Sequence, residues 1–146
     1  MSAALEAMQL PGFARWMRAQ AQEEMTHAEK FFHHVIERGG RVKMKAIDGP
    51  PIEWGNVKAM FEDVLKHEQL VTGLIHKLVE LAAGEKDYAA SIFLQWFVSE
   101  QVEEEAGVDA ILGKLKLAGE SRGGLYMLDK EMGHRVFTAP TQGDTE

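Results

Sequence analysis

Hydrophobic and polar residues follow a helical period in three long segments of the chain. Residues 13–38, 56–83 and 88–117 each carry apolar side chains three and four positions apart, which is typical of an amphipathic helix. Asn56 suits the N-cap of the second segment, and Gly84 closes it, as glycine often does at a helix C-terminus. The pattern therefore predicts three long helices.

Shorter elements flank these helices. Residues 2–9 form a short helical segment before a turn predicted at Pro11-Gly12, and a short helix at 123–132 precedes a polar tail at 133–146. The connection at 41–55 is longer than most helix–helix loops, so we expect it to cross the domain or to have a function of its own. The chain is predicted to be all-α, with its 146 residues in one domain.

The composition excludes several classes of function. A formal net charge of −7 argues against a nucleic-acid partner and mildly favours cations. The chain has no cysteine, so it cannot hold a disulfide, a thiolate zinc site or an iron–sulfur cluster. No apolar run is long enough to cross a membrane, and no basic leader precedes the first apolar residues. We therefore expect a soluble cytoplasmic protein with no membrane partner.

The apolar stripe of each long helix is interrupted near its midpoint by a carboxylate: Glu24, Glu68 and Glu104. Burying a carboxylate is costly unless positive charge compensates it. If the helices lie side by side, these groups would meet His27 and Gln101 at one depth in the core. Oxygen-rich ligation with one imidazole suits iron or manganese, and several carboxylates can bridge two ions. The alternative interpretation is a buried polar network without metal.

A second group of acidic residues adjoins the first. Glu100, Glu103 and Glu105 surround Glu104, and Glu23 precedes Glu24. Carboxylates four residues apart on a helix repel each other, so a passing cation would stabilise them. A solvated acidic face explains the same pattern, and the sequence leaves both interpretations open.

Three segments together resemble a known family. Residues 22–27 (QEEMTH), 67–69 (HEQ) and 96–105 (WFVSEQVEEE) are similar to the ligand segments of the bacterial non-haem ferritins, which belong to the ferritin-like di-iron family. The similarity extends from about residue 10 to residue 132, with the three motifs in the same order. The resemblance implies a ferritin-like helical bundle in which the connection at 41–55 is the long crossover.

The resemblance also implies an activity and a set of site residues. Glu24 would bridge two irons, with His27 on the first, Glu68 and Glu104 on the second, and Gln101 supporting the second. An accessory third iron would be bound by a separate set of carboxylates: Glu23, Glu100 and Glu103. The protein would oxidise Fe(II) with oxygen or hydrogen peroxide. It would store and detoxify the iron as ferric mineral in a homo-oligomeric cage of about 24 subunits.

Departures from the family pattern leave alternatives open. Bacterioferritins carry a second Glu-x-x-His where this chain has Gln101 and Glu104, and no haem is expected, although Met25 matches their haem-ligand position. Residues 1–10 resemble only the final turns of the first bundle helix, so that helix and its Glu ligand are expected to be largely missing. One alternative is therefore a non-catalytic helical assembly subunit with an incomplete metal site. Another is a di-iron enzyme that acts on small molecules.

Overall fold

The computed structural model describes residues 1–138, and this part of the chain contains only helices, with no strand. Five helices follow one another: α1 (Ser2–Ala7), α2 (Pro11–Glu37), α3 (Val57–Gly84), α4 (Tyr88–Ala118) and α5 (Arg122–Met132). The all-α prediction is confirmed, and each long helix begins and ends within two residues of its predicted bounds. Residues 41–54 form no regular structure, as predicted for the connection, and residues 139–146 of the predicted tail lie outside the described part.

The helices fall into two compact units, which we describe in turn. The first unit comprises Met1–Glu53 together with the chain from Arg122 onward, and therefore contains α1, α2 and α5. The second unit is Trp54–Ser121, which contains α3 and α4. Within residues 1–138, no helix combines the length and the hydropathy needed to span a membrane.

The turn between α1 and α2 lies earlier than predicted. Pro11 and Gly12 are the first residues of α2, and the chain turns just before them, where Gln9 has a φ of +61°. Proline fits this position because its fixed φ suits the first helical residue, which needs no backbone N–H. The prediction of a turn at Pro11-Gly12 is therefore wrong by two residues.

The start of α2 packs against the end of α5. The backbone N–H of Phe13 donates a hydrogen bond to Asp129 Oδ1 at 2.9 Å, so a side chain of α5 satisfies one of the free donors at the N-terminus of α2. A Cβ at Gly12 would stand 1.7 Å from the backbone oxygen of Asp129, so only glycine permits this approach. Buried apolar side chains from α1, α2 and α5 complete this core, among them Leu5, Phe13, Ala14, Met17, Leu128 and Met132.

In the second unit, α3 and α4 form a helical hairpin. Asn56 Oδ1 accepts from the Ala59 N–H at 2.8 Å, and Asp87 Oδ1 accepts from the Ala90 N–H at 3.0 Å, so both helices have a side-chain N-cap. Lys86 adopts a φ of +57° in the short loop between them. Buried apolar residues recur at helical spacing on both helices, including Phe61, Val64, Ile75, Phe97, Val108 and Ile111. The N-cap predicted at Asn56 is confirmed.

Candidate metal centre

The predicted ligands on α2 follow the buried N-terminal half of this helix. Glu24 Oε1 accepts a hydrogen bond from Gln20 Nε2 at 3.1 Å, and Glu24 Oε2 lies 3.4 Å from His27 Nδ1. The imidazole of His27 is mostly buried, with 13% of its side chain exposed, whereas 47% of the Glu24 side chain is exposed. Glu24 and His27 therefore form a pair that one ion could contact, as their i, i+3 spacing predicted.

The exposure of Glu24 contradicts the expectation that it lies in a buried stripe. The buried residues of α2 end at Gln20, and those before it belong to the half that packs on α1 and α5. Phe31 and Val35, further along the predicted stripe, are only half-buried. The apolar spacing continues past Gln20, but the packing within this unit does not, so the sequence pattern overestimated the burial.

Glu23 has a partner that the sequence did not indicate. Its carboxylate pairs with the guanidinium of Arg135, in the segment that follows α5. The Arg135 guanidinium carbon also lies 4.4 Å from the centroid of the Trp16 ring, which is a cation–π distance. Arg15 Nη1 donates to the backbone oxygen of Gly133 at 3.2 Å and attaches the same segment. The beginning of the polar tail is thus anchored on α2. Its Arg135 forms an ion pair with Glu23, which is a predicted iron ligand.

The second unit buries the remaining residues that are predicted to be core ligands, as the sequence pattern indicated. Glu68 is 4% exposed, Gln101 5% and Glu104 9%. Gln101 Nε2 lies 3.1 Å from the backbone oxygen of Glu68 and 3.4 Å from Glu68 Oε2, so the amide joins the two helices at this point. Carboxylate and amide oxygens are the donor types that suit a hard divalent cation such as Fe(II).

Two further side chains complete this group, and the sequence pattern does not indicate either of them as part of it. Thr72 Oγ1 lies 3.2 Å from Gln101 Nε2 and 2.5 Å from Glu105 Oε1. The available signal was spacing, because Thr72 is four residues after Glu68 and Glu105 is four residues after Gln101. The sequence pattern instead places Glu105 in the acidic cluster around Glu104. Of that cluster, Glu100 is half-buried and Glu103 is exposed.

The predicted ligands divide between the two units. Glu23, Glu24 and His27 belong to the first, and the second contains the others: Glu68, Glu100, Gln101, Glu103 and Glu104. Within residues 1–138, neither unit by itself groups three or more His, Asp or Glu side chains closely enough to hold a metal ion. A centre that uses ligands from α2, α3 and α4 stays a prediction.

Comparisons with a family model and with known proteins indicate the same family. The ferritin-like domain model of the ferritin family matches residues 1–118. A bacterial non-heme ferritin of Bacteroides fragilis is 44% identical over 135 residues, which cover 92% of this chain and 84% of that protein. A bacterial non-heme ferritin of Escherichia coli O6:H1 is 41% identical over 121 residues, which cover 83% of this chain and 73% of that protein.

Solved structures show the same fold. An engineered closed form of the Archaeoglobus fulgidus ferritin superposes with a TM-score of 0.93 at 52% identity, covering 94% of this chain and 84% of that chain. The open pore ferritin from the same archaeon superposes with a TM-score of 0.92 at 51% identity, covering 93% and 84%. The described helices therefore have the ferritin-like fold that the resemblance implied.

Proposed function

The chain belongs to the ferritin family, and we propose that it oxidises ferrous iron and stores and detoxifies the ferric product as a mineral. The mineral would lie inside a hollow homo-oligomeric cage, in the cytoplasm, as is expected of a bacterial non-haem ferritin. Iron is the substrate and the cargo. The observation that carries the proposal is the burial of Glu68, Gln101 and Glu104 in the α3–α4 hairpin of a ferritin chain.

Each predicted ligand has a distinct part in this proposal. Glu24 would be shared by two ferrous ions, His27 would hold the first, and Glu68 and Glu104 would hold the second, with Gln101 in support. Binding of Fe(II) would stabilise carboxylates that are otherwise costly to bury. The two ions would give one electron each to oxygen, which takes up two protons and becomes hydrogen peroxide, or to hydrogen peroxide, which takes up two protons and becomes two molecules of water.

The proposed accessory iron would bind at Glu23, Glu100 and Glu103. Because the Arg135 guanidinium already pairs with Glu23, an ion that binds this carboxylate must compete with that arginine. The accessory position is therefore expected to fill after the other two and to bind iron more weakly.

An aerobic titration with ferrous iron tests the proposal. We expect a rapid phase of oxidation that saturates at about two ions per chain. Glu68→Ala and Glu24→Ala should each abolish this phase and leave the assembly intact. Glu62→Ala is the matched control, because it removes an exposed carboxylate of α3 that pairs with Lys58. Rapid oxidation that survives in Glu68→Ala and Glu24→Ala would refute the proposed site.

The exposure of Glu24 favours a second candidate, a non-catalytic helical assembly subunit with an incomplete metal site. A half-exposed carboxylate binds an ion more weakly than one that is held in a closed site. This candidate predicts that the purified protein forms a stable assembly without any rapid phase of iron oxidation, so the same titration separates the two functions.

A further inference from the structure

A hydrogen-bonded chain of four side chains connects α3 and α4: Glu105, Thr72, Gln101 and Glu68. We infer that Thr72 and Glu105 are positioning residues that fix the orientation of the Gln101 amide and, through it, the carboxylate of Glu68. The consequence for iron rests on the proposed function, but the hydrogen bonds themselves do not. Neither Thr72 nor Glu105 belongs to the predicted ligand set.

The first step concerns the hydroxyl proton of Thr72. An ionised carboxylate only accepts hydrogen bonds, and the threonine hydroxyl has a single proton to donate. Thr72 Oγ1 lies 2.5 Å from Glu105 Oε1, much closer than it lies to any other group in this network. The Thr72 hydroxyl therefore donates its proton to Glu105, and the Thr72 oxygen can only accept hydrogen bonds from other groups.

The second step concerns the direction of the Gln101 amide. One end of the amide faces three oxygens: Thr72 Oγ1 at 3.2 Å, the Glu68 backbone oxygen at 3.1 Å and Glu68 Oε2 at 3.4 Å. The Glu68 backbone oxygen is always an acceptor, and the Thr72 oxygen is one because its proton is directed at Glu105. A reversed amide would place Gln101 Oε1 against these two oxygens with no proton between them. The NH₂ group must therefore face α3.

The third step concerns Glu68. The Gln101 NH₂ group approaches its carboxylate at Oε2, so the amide restrains the carboxylate from the α4 side. A ligand that is already ordered loses less conformational freedom when the ion binds, and such supporting contacts commonly strengthen metal binding. The three consecutive glutamates therefore have different surroundings. Glu103 is exposed, Glu104 is buried, and Glu105 is half-buried, where it orients Thr72.

Substitution of Thr72 tests the inference with Zn²⁺ as a redox-inert probe, measured by calorimetry on the assembled protein. Thr72→Val keeps the shape and removes the hydroxyl, and should weaken Zn²⁺ binding roughly tenfold. Thr72→Ser keeps the hydroxyl and should restore affinity to within about twofold of the original chain. Ser91→Ala is the control for loss of a hydroxyl, because Ser91 Oγ donates to the backbone oxygen of Asp87, away from this network.

Glu105 provides an independent variant. Glu105→Leu releases the Thr72 proton and allows the amide to turn, so it should weaken Zn²⁺ binding about as much as Thr72→Val. If the two act through one chain, the double variant should bind no more weakly than either single variant. Asp109→Leu removes an exposed carboxylate one turn further along α4 and should have little effect. Unchanged affinity in both Thr72→Val and Glu105→Leu, or a Thr72→Ser variant as weak as Thr72→Val, would overturn the inference.

Crystal structures of the metal-free variants separate this inference from the proposed function. In Thr72→Val we expect the side chains of Gln101 and Glu68 to leave their present positions, and in Thr72→Ser to keep them. Unmoved side chains in Thr72→Val would refute the positioning role, whatever the protein does with iron. Rapid iron oxidation that persists in Glu68→Ala would refute the proposed function and leave the structural test of Thr72 valid.

Discussion

Glu23 and Glu24 are neighbours in the sequence but have different surroundings. Successive side chains on a helix point about 100° apart, so Glu24 is directed towards Gln20 and His27 while Glu23 faces Arg135. Both carboxylates are predicted to bind iron, and the guanidinium of Arg135 is bound to Glu23. The two are therefore expected to take up cations with different affinities.

Arg135→Ala should make Glu23 a better cation ligand, because it removes the competing guanidinium. Both side chains are about a quarter exposed, so the gain should be modest, about two- to fivefold in Zn²⁺ affinity at this position. Calorimetry checks it, and the gain should vanish in Glu23→Gln/Arg135→Ala. Arg18→Ala is the charge-matched control, since Arg18 pairs with Glu6 at 2.9 Å. An equal gain in Arg18→Ala would attribute the effect to net charge instead.

The contact between α2 and α5 depends on close backbone approach as well as on side chains. Asp129 caps the Phe13 N–H while its backbone oxygen lies over Gly12, so the two helices meet without an intervening side chain. The fixed approach of α5 also sets where Gly133 and Arg135 leave the helix, and hence which residues of α2 they reach. The position of Arg135 on Glu23 therefore depends on a glycine 123 residues away.

Gly12→Ala should destabilise the protein. The new Cβ would lie 1.7 Å from the Asp129 backbone oxygen, and because no side-chain rotation can move a backbone atom, α5 would have to shift. Overpacking of this kind costs about 1–3 kcal/mol, which thermal unfolding would detect as a lower Tm. Gly113→Ala is the matched control, because a Cβ at this glycine of α4 meets nothing within 4 Å. It should instead raise stability by about 0.5–1 kcal/mol through helix propensity.

The chain as a whole exposes many large apolar side chains for a small protein. Several lie along α2, including Met25, Phe32 and Ile36. A groove of about 550 Å³ between α2 and residues 41–44 has a mainly apolar lining that includes Phe31, Val35 and Met44. Exposed apolar surface of this extent is typical of interaction surfaces, and the proposed homo-oligomer would cover part of it.

Sedimentation velocity checks the proposed assembly. We expect the chain to sediment as one large homo-oligomer with no detectable monomer, because association removes apolar surface from water. Moderate salt should not dissociate the assembly, since apolar contacts are not screened as charge–charge contacts are. A monomer at micromolar concentration would contradict the cage.

Much of the fold could be predicted from local pattern. Apolar spacing, the Asn56 cap and the glycines placed each long helix to within two residues, because helix formation depends on side chains within a few positions of one another. The burial of Glu68, Gln101 and Glu104 was also predicted, since each continues an apolar stripe that is packed along its length in the α3–α4 hairpin.

Other features required contacts between distant segments. Arg135 meets Glu23 across 112 positions of the chain, and Thr72 meets Glu105 across 33. The periodicity of one helix does not show which side chains of another element will face that helix. The exposure of Glu24 has the same origin, because a stripe shows which face of a helix could be buried but only packing decides how far along the helix the burial extends. The helices and their candidate ligands thus follow from the sequence, while the partners of those ligands follow from the tertiary structure.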